Sequence, residues 1–169
     1  MTAVSSIQTK RPSWQNIVTL TLGFWLSGSL ILDWVIMPSL YVSGMMTQAG
    51  FATAGYLIFW NFNRIELLSA ALVLTGVLVI SSNLHSADKW RRSAIALSVL
   101  LLAGCLIDTY FLTPQMCAAG LQLNLFELTA EIPATMSQLH AGYWVLEAVK
   151  LVAGGTLLGW CWRQQERLA

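Results

Sequence analysis

Apolar residues gather in four long runs along the chain, at about 16–40, 64–84, 93–113 and 138–162, with polar residues returning between them. Each run reaches the ~20 residues an α-helix needs to cross the hydrocarbon layer of a bilayer. The pattern predicts an all-α integral membrane bundle of four transmembrane helices, built as one domain over 16–162 with tails at 1–15 and 163–169. "AGFATAGYLIFWNFN" repeats Phe51, Ala54, Gly55, Ile58 and Phe62 at helical spacing, which predicts an interfacial helix in the first long connection. An early start to the second span is the competing reading. "LQLNLFELTAEIP" is stopped by Pro133 and reads as a short interfacial or re-entrant piece.

The connections differ in charge. "HSADKWRR" (85–92) is short and basic, whereas 41–63 and 114–137 hold no Lys or Arg and include Glu127 and Glu131. Lys10 and Arg11 precede the first span, and Arg163 and Arg167 follow the last. The positive-inside rule then places both termini and 85–92 in the cytoplasm, with Trp14, Trp90, Trp160 and Trp162 as anchors at that boundary. The basic start is followed by an apolar run that continues to Leu40 and contains Asp33, so it reads as a retained helix, not a cleaved signal.

Composition agrees. Of 169 residues 56% are hydrophobic and only 10% charged, well below the ~25% charged of soluble domains, and the mean hydropathy is +0.64. A net charge of +1 with no basic stripe excludes an electrostatic nucleic-acid partner. Cys105, Cys117 and Cys161 form no CxxC pair and read as small core residues. "GTLLG" places Gly155 and Gly159 four apart, and Gly23 with Ser27 makes a second small-xxx-small pair. Either would suit a homodimer or a larger membrane complex, but close packing inside one bundle is the favoured reading.

Against this background the charged residues inside the spans stand out. In "HAGYWVLEAVK" the residues His140, Tyr143, Glu147 and Lys150 fall within about 80° of one helical face. Asp33 lies in the outer half of the first span, Arg64 and Glu66 open the second, and Asp108 is near the outer end of the third. All converge on one half of the bundle, where ionisable groups pair in the interior. Four acids against two bases leave a formal −2, so a cation completes the site or some acids keep their protons. Two ion pairs that merely fix helix register are the structural alternative. Trp144, a neighbour of Tyr143 on the helix, is expected to face lipid.

Two cofactors compete for the same end. Met37, Met45, Met46, Met116 and Met136 lie on the outer side with His140, and thioether with imidazole would suit copper; gap filling by methionine is the simpler account. His85 and His140 sit about 30 Å apart by helical rise, so both cannot ligate one haem, and a His140–Met pair is the remaining haem option. No nucleophile elbow, phosphate loop or HExxH occurs, so a non-enzymatic role is the favoured reading and enzymatic activity stays open.

"GFWLSGSLILDWVIMPSLYVSGMM", "GYLIFWNFNRIELL", "DTYFLTPQM" and "LHAGYWVLEAVKL" resemble the four-helix membrane family related to the human transmembrane-protein-205 proteins. The matching points are Trp25, Gly28, Asp33, Met37–Pro38, Leu112 to Met116 and Leu139–His140. The resemblance implies the four-helix fold and a bacterial inner membrane (or an internal photosynthetic membrane) as location, without a mechanism. More distantly the plan is similar to copper-resistance membrane proteins and to a four-helix haem-containing protoporphyrinogen oxidase. The expected function is the binding or movement of a cation, metal, proton or small polar solute. A haem-dependent oxidoreductase and an accessory subunit of a larger complex are the alternatives.

Overall fold

A computed structural model describes residues 13–45, 50–82, 89–118 and 134–168. Four long helices account for nearly all of them. α1 runs Trp14–Val42, α2 Phe51–Ser82, α3 from Lys89 to residue 118, and α4 Ala134–Leu168. Each contains a stretch long and apolar enough to cross a membrane, so the chain is an integral membrane protein. Helices are the solution lipid imposes, because each backbone N–H and C=O finds its partner within the same segment.

Local chemistry sets the ends. Ser13 caps α1, its Oγ accepting from the Asn16 N–H at 3.3 Å. α1 closes where Gly44 takes a left-handed conformation, φ +71°, and donates its N–H to the Tyr41 carbonyl at 3.1 Å; a side chain would strain that turn. Twice the helices widen into a π turn, at Leu32–Ile36 in α1 and at Asp108–Leu112 in α3. Both close on the residue just before a proline, with the Met37 N–H bonded to the Leu32 carbonyl and that of Thr113 to the Asp108 carbonyl. Pro38 and Pro114 lack an N–H and crowd the carbonyl four residues back, and the wider turn relieves that conflict.

The helices pack as an up-and-down bundle, α1 against α2 and α4, and α3 against α2 and α4, with the start of α1 and the end of α4 on one side. Near that end the core is apolar: Val18 and Leu22 of α1, Val73 and Val77 of α2, Ala94 and Leu101 of α3, Leu157 and Cys161 of α4. Glycines set the close approaches. A Cβ on Gly154 would stand 2.9 Å from Leu26 Cδ2, which lets α1 and α4 meet.

Aromatic side chains set the depth. Trp14 and Trp162 are exposed at the end that carries the termini, and Trp34 and Trp144 at the far end. Trp14 to Trp34 and Trp144 to Trp162 are 20 and 18 residues apart, about 27–30 Å of helix, which is the thickness of a hydrocarbon core. The expected Trp160 anchor is half-buried, and Cys105 and Cys161 are buried while Cys117 is half-buried.

Several expectations change. Residues 51–63 are not a separate interfacial helix; they are the first turns of α2, the competing reading, and nothing breaks the helix between them and the span. α4 runs on past residue 162 to Leu168. Gly155 and Gly159 face outward with open space around them, so the favoured packing inside the bundle is not what they do. Gly23 has open space as well, and the exposed Ser27 hydroxyl donates to the Gly23 carbonyl of its own helix. The expectations on residues 1–12, His85, Met46, Glu127, Glu131 and the 121–133 piece lie outside the described residues. So do those on the side chains of Trp90, Met136 and Arg167.

Candidate functional site

The site is assembled around one lysine. Lys150 rises from α4 along Gly104 of α3, where a Cβ would come within 3.3 Å of Lys150 Cγ; the missing side chain is the channel for the lysine stem. Its ammonium lies 2.6 Å from Glu147 Oε2, 2.7 Å from Asp108 Oδ2 and 2.9 Å from Glu66 Oε2. Of the three N–H donors of the ammonium, one hydrogen-bonds Glu66 Oε2, and Asp108 and Glu147 hold the charge as ion pairs. The ligating oxygens of Glu66, Asp108 and Glu147 lie within 4.8 Å of one another. All three acids are at most 2% exposed, and Lys150 is 3% exposed.

A second layer fixes this centre. Glu66 Oε1 accepts from the Trp25 indole at 2.7 Å and from the Ser29 hydroxyl at 3.1 Å. With Lys150 this gives Glu66 three donors, so its charge is the best compensated of the set. Towards the far end Asp33, 1% exposed, accepts the Tyr143 hydroxyl on Oδ1 at 2.7 Å. Beside it Asn63 Nδ2 donates to Thr113 Oγ1 at 2.7 Å, tying α2 to α3. Tyr143 is held edge-on between Phe59 and Trp144, at 5.9 and 6.1 Å between centroids, and Trp144 meets Trp34 at 6.2 Å.

Each helix thus gives one buried acid: Asp33 from α1, Glu66 from α2, Asp108 from α3 and Glu147 from α4. Both aspartates sit in the two π turns, so the hairpins α1–α2 and α3–α4 make matching contributions. Sequence repeats show no such symmetry, and the spacings differ by one residue, five from Asp33 to Pro38 and six from Asp108 to Pro114.

Six of the seven expected polar residues come together here. Arg64 does not: it is exposed, its guanidinium 3.9 Å over the Trp60 ring. Its absence changes the charge balance, because four acids then face a single buried cation among the described residues. Oxygens are left over. After the ion pairs and hydrogen bonds are assigned, Asp33 Oδ2, Asp108 Oδ1 and Glu147 Oε1 are buried with no hydrogen-bond donor.

Among the described residues of the soft-ligand set, none shares the site. His140 is exposed and lies outside the converging ligand group, and Met37 and Met116 are half-buried. The groups that converge are oxygens, which suit protons and hard cations and not copper. Trp25, Ser29, Asn63 and Thr113 were missed in the sequence reading. The signal was present, since Trp25, Ser29 and Asp33 recur every four residues on one face of α1. No family model, curated protein or solved structure matches the chain.

Proposed function

We propose that this protein binds and exchanges a cation, in the first place the proton, at a buried carboxylate centre in the non-cytoplasmic half of the membrane. The observation that carries the reading is four buried carboxylates, one from each helix, three of them on the ammonium of Lys150 and the fourth, Asp33, on the Tyr143 hydroxyl. Each ion removed from water costs several kcal/mol even after relaxation. A centre built only to fix helix register needs one ion pair, and three acids in excess of the lysine add cost without adding register. They are suited to a site whose charge is balanced by an exchangeable cation. Lys150 stands where three carboxylates converge and so acts as the built-in counter-cation.

Placement in a bacterial inner membrane, with both termini cytoplasmic, belongs to the same proposal and is supported by the basic residues around 85–92 and at the two tails. So does kinship with the transmembrane-protein-205-like family, supported by the ordered motifs. The outward faces of Gly155 and Gly159 support a companion reading, contact with a second copy through α4.

Potentiometric titration in nanodiscs tests the function. The wild-type chain should bind more protons than the variant Asp33→Asn, Asp108→Asn, Glu147→Gln. Metal content and the visible spectrum of the same sample should be blank for copper and haem. Identical titration curves for the two proteins would refute the reading.

A further inference from the structure

The geometry points to a lipid-phosphate site on the surface of α2, where Arg64 and Trp60 hold the headgroup of an anionic lipid in the leaflet at the far end of the bundle. Tyr56, Trp60 and Arg64 stand four residues apart, so they follow one side of the helix. The Tyr56 and Trp60 rings are 5.6 Å apart between centroids, and the Arg64 guanidinium lies 3.9 Å over the Trp60 ring. Phe59 meets Tyr143 in the belt that also holds Trp144 and Trp34. The backbone of Arg64 lies five residues further along α2, about 7.5 Å deeper than that belt. Arg64 is exposed, and the surroundings at this depth are hydrocarbon, where a charge is costly. Its side chain turns back one helical turn towards the belt, keeping its stem in lipid and bringing its charge to the headgroup boundary.

A phosphate is the ligand this arrangement fits. The indole ring engages the guanidinium as a cation, and the N–H groups form a fork matched to two oxygens of one anionic group. No described side chain supplies that group. The acids of this half, Asp33, Glu66, Asp108 and Glu147, are buried, and the ion pairs among the described residues are made to Lys150. Arg64 is also the one surface cation of the far half among the described residues, since Lys150 is buried and Lys89, Arg91, Arg92, Arg163 and Arg167 lie at the other end. An anionic lipid suits it better than a zwitterionic one. The phosphate of the anionic lipid has no ammonium of its own to compensate it, and this surface shows no acid that would receive such an ammonium. Leu57 and Leu68 are exposed on the same side of α2, on either side of Arg64 in sequence; they offer the acyl chains a contact that a free phosphate ion would not use.

Native mass spectrometry of the intact chain, released from nanodiscs of phosphatidylglycerol and phosphatidylcholine with matched acyl chains, tests the site. Basic residues at the other end can hold anionic lipid too, so the readout is the difference between variants. The wild type should retain one phosphatidylglycerol more than Arg64→Gln, whose affinity for that lipid should fall about tenfold or more, the worth of a hydrogen bond between charged groups. Trp60→Leu keeps the charge and should weaken the same lipid about two- to fivefold. Arg64→Lys, a cation without the fork, should fall between the wild type and Arg64→Gln. Equal counts for the wild type and Arg64→Gln overturn the proposal. So does a site that takes phosphatidylcholine as readily as phosphatidylglycerol, or one emptied by soluble glycerol phosphate, which would make it a site for free phosphate. Loss of a second protein chain with Arg64→Gln would give the guanidinium to a protein partner and overturn it as well. Should Arg64→Gln fail to fold, Trp60→Leu decides, and unchanged lipid affinity there refutes the assignment.

Discussion

The two halves of the bundle are held together in different ways. Towards the termini, Val18, Leu22, Val73, Val77, Leu101 and Leu157 pack with no charged group between them, only serine and threonine hydroxyls. Towards the far end, Asp33, Glu66, Asp108, Glu147 and Lys150 occupy the corresponding interior, ringed by Trp25, Ser29, Asn63, Thr113 and Tyr143. In water the first half would supply most of the stability. In lipid it does not, because apolar side chains gain nothing by leaving an apolar solvent and association rests on shape and close contact. The far half carries interactions that lipid cannot replace. It also carries an excess of acid that a stabilising cluster does not need. The difference separates a part selected for fit from a part whose cost points to chemistry.

The contrast breaks most sharply at Lys150. Lys150→Met leaves Glu66, Asp108 and Glu147 facing each other without their ammonium, and an uncompensated buried charge costs about 3–5 kcal/mol. The variant should lose most of its thermal stability in detergent, and adding Asp108→Asn with Glu147→Gln should restore much of it. Changing Glu147 and Lys150 together is not neutral, since Glu66 and Asp108 would still face one another. A Lys150→Met chain as stable as the wild type would remove the lysine from the centre of the account.

Leu22→Ala should cost less, about 2 kcal/mol, through the cavity it leaves in a tightly packed layer. It should leave proton binding unchanged, which a titration beside a melting curve will show. Thr113→Val removes the acceptor of the Asn63 amide and should cost about 1 kcal/mol, read from the same melting curve. The smallest effect is expected outside the bundle. Gly159→Ile meets open space, so it should leave the fold intact and alter only the oligomer mass seen in native mass spectrometry. Unchanged mass would remove α4 self-association.

The polar stripe of α4 was legible because Tyr143, Glu147 and Lys150 repeat at helical spacing in a run that otherwise avoids charge. Convergence of the four acids followed from the number of spans and their alternating direction. Arg64 was misplaced because hydropathy counts charge and not direction. It lies two residues from Glu66, so the two face different sides of α2, and the arginine covers Trp60 at the level of the far aromatic belt. Residues 51–63 were separated from the second span because Asn61, Asn63 and Arg64 interrupt its hydropathy. In the helix Asn61 bonds the Leu57 carbonyl of its own helix and Asn63 bonds Thr113, so the polarity is absorbed without a break. The π turns depend on how Pro38 and Pro114 disturb a turn inside a packed helix, which no periodicity records. Gly155 and Gly159 show the converse: a motif gives spacing, and the neighbouring helices decide whether anything packs on it.

Proton uptake by variants of the two halves, side by side, tests the central claim most directly. The wild type, Leu22→Ala and Glu147→Gln are reconstituted into nanodiscs and titrated potentiometrically. Wild type and Leu22→Ala should take up the same number of protons, and Glu147→Gln fewer. If Glu147→Gln takes up as many protons as the wild type, the carboxylate centre is not an exchange site.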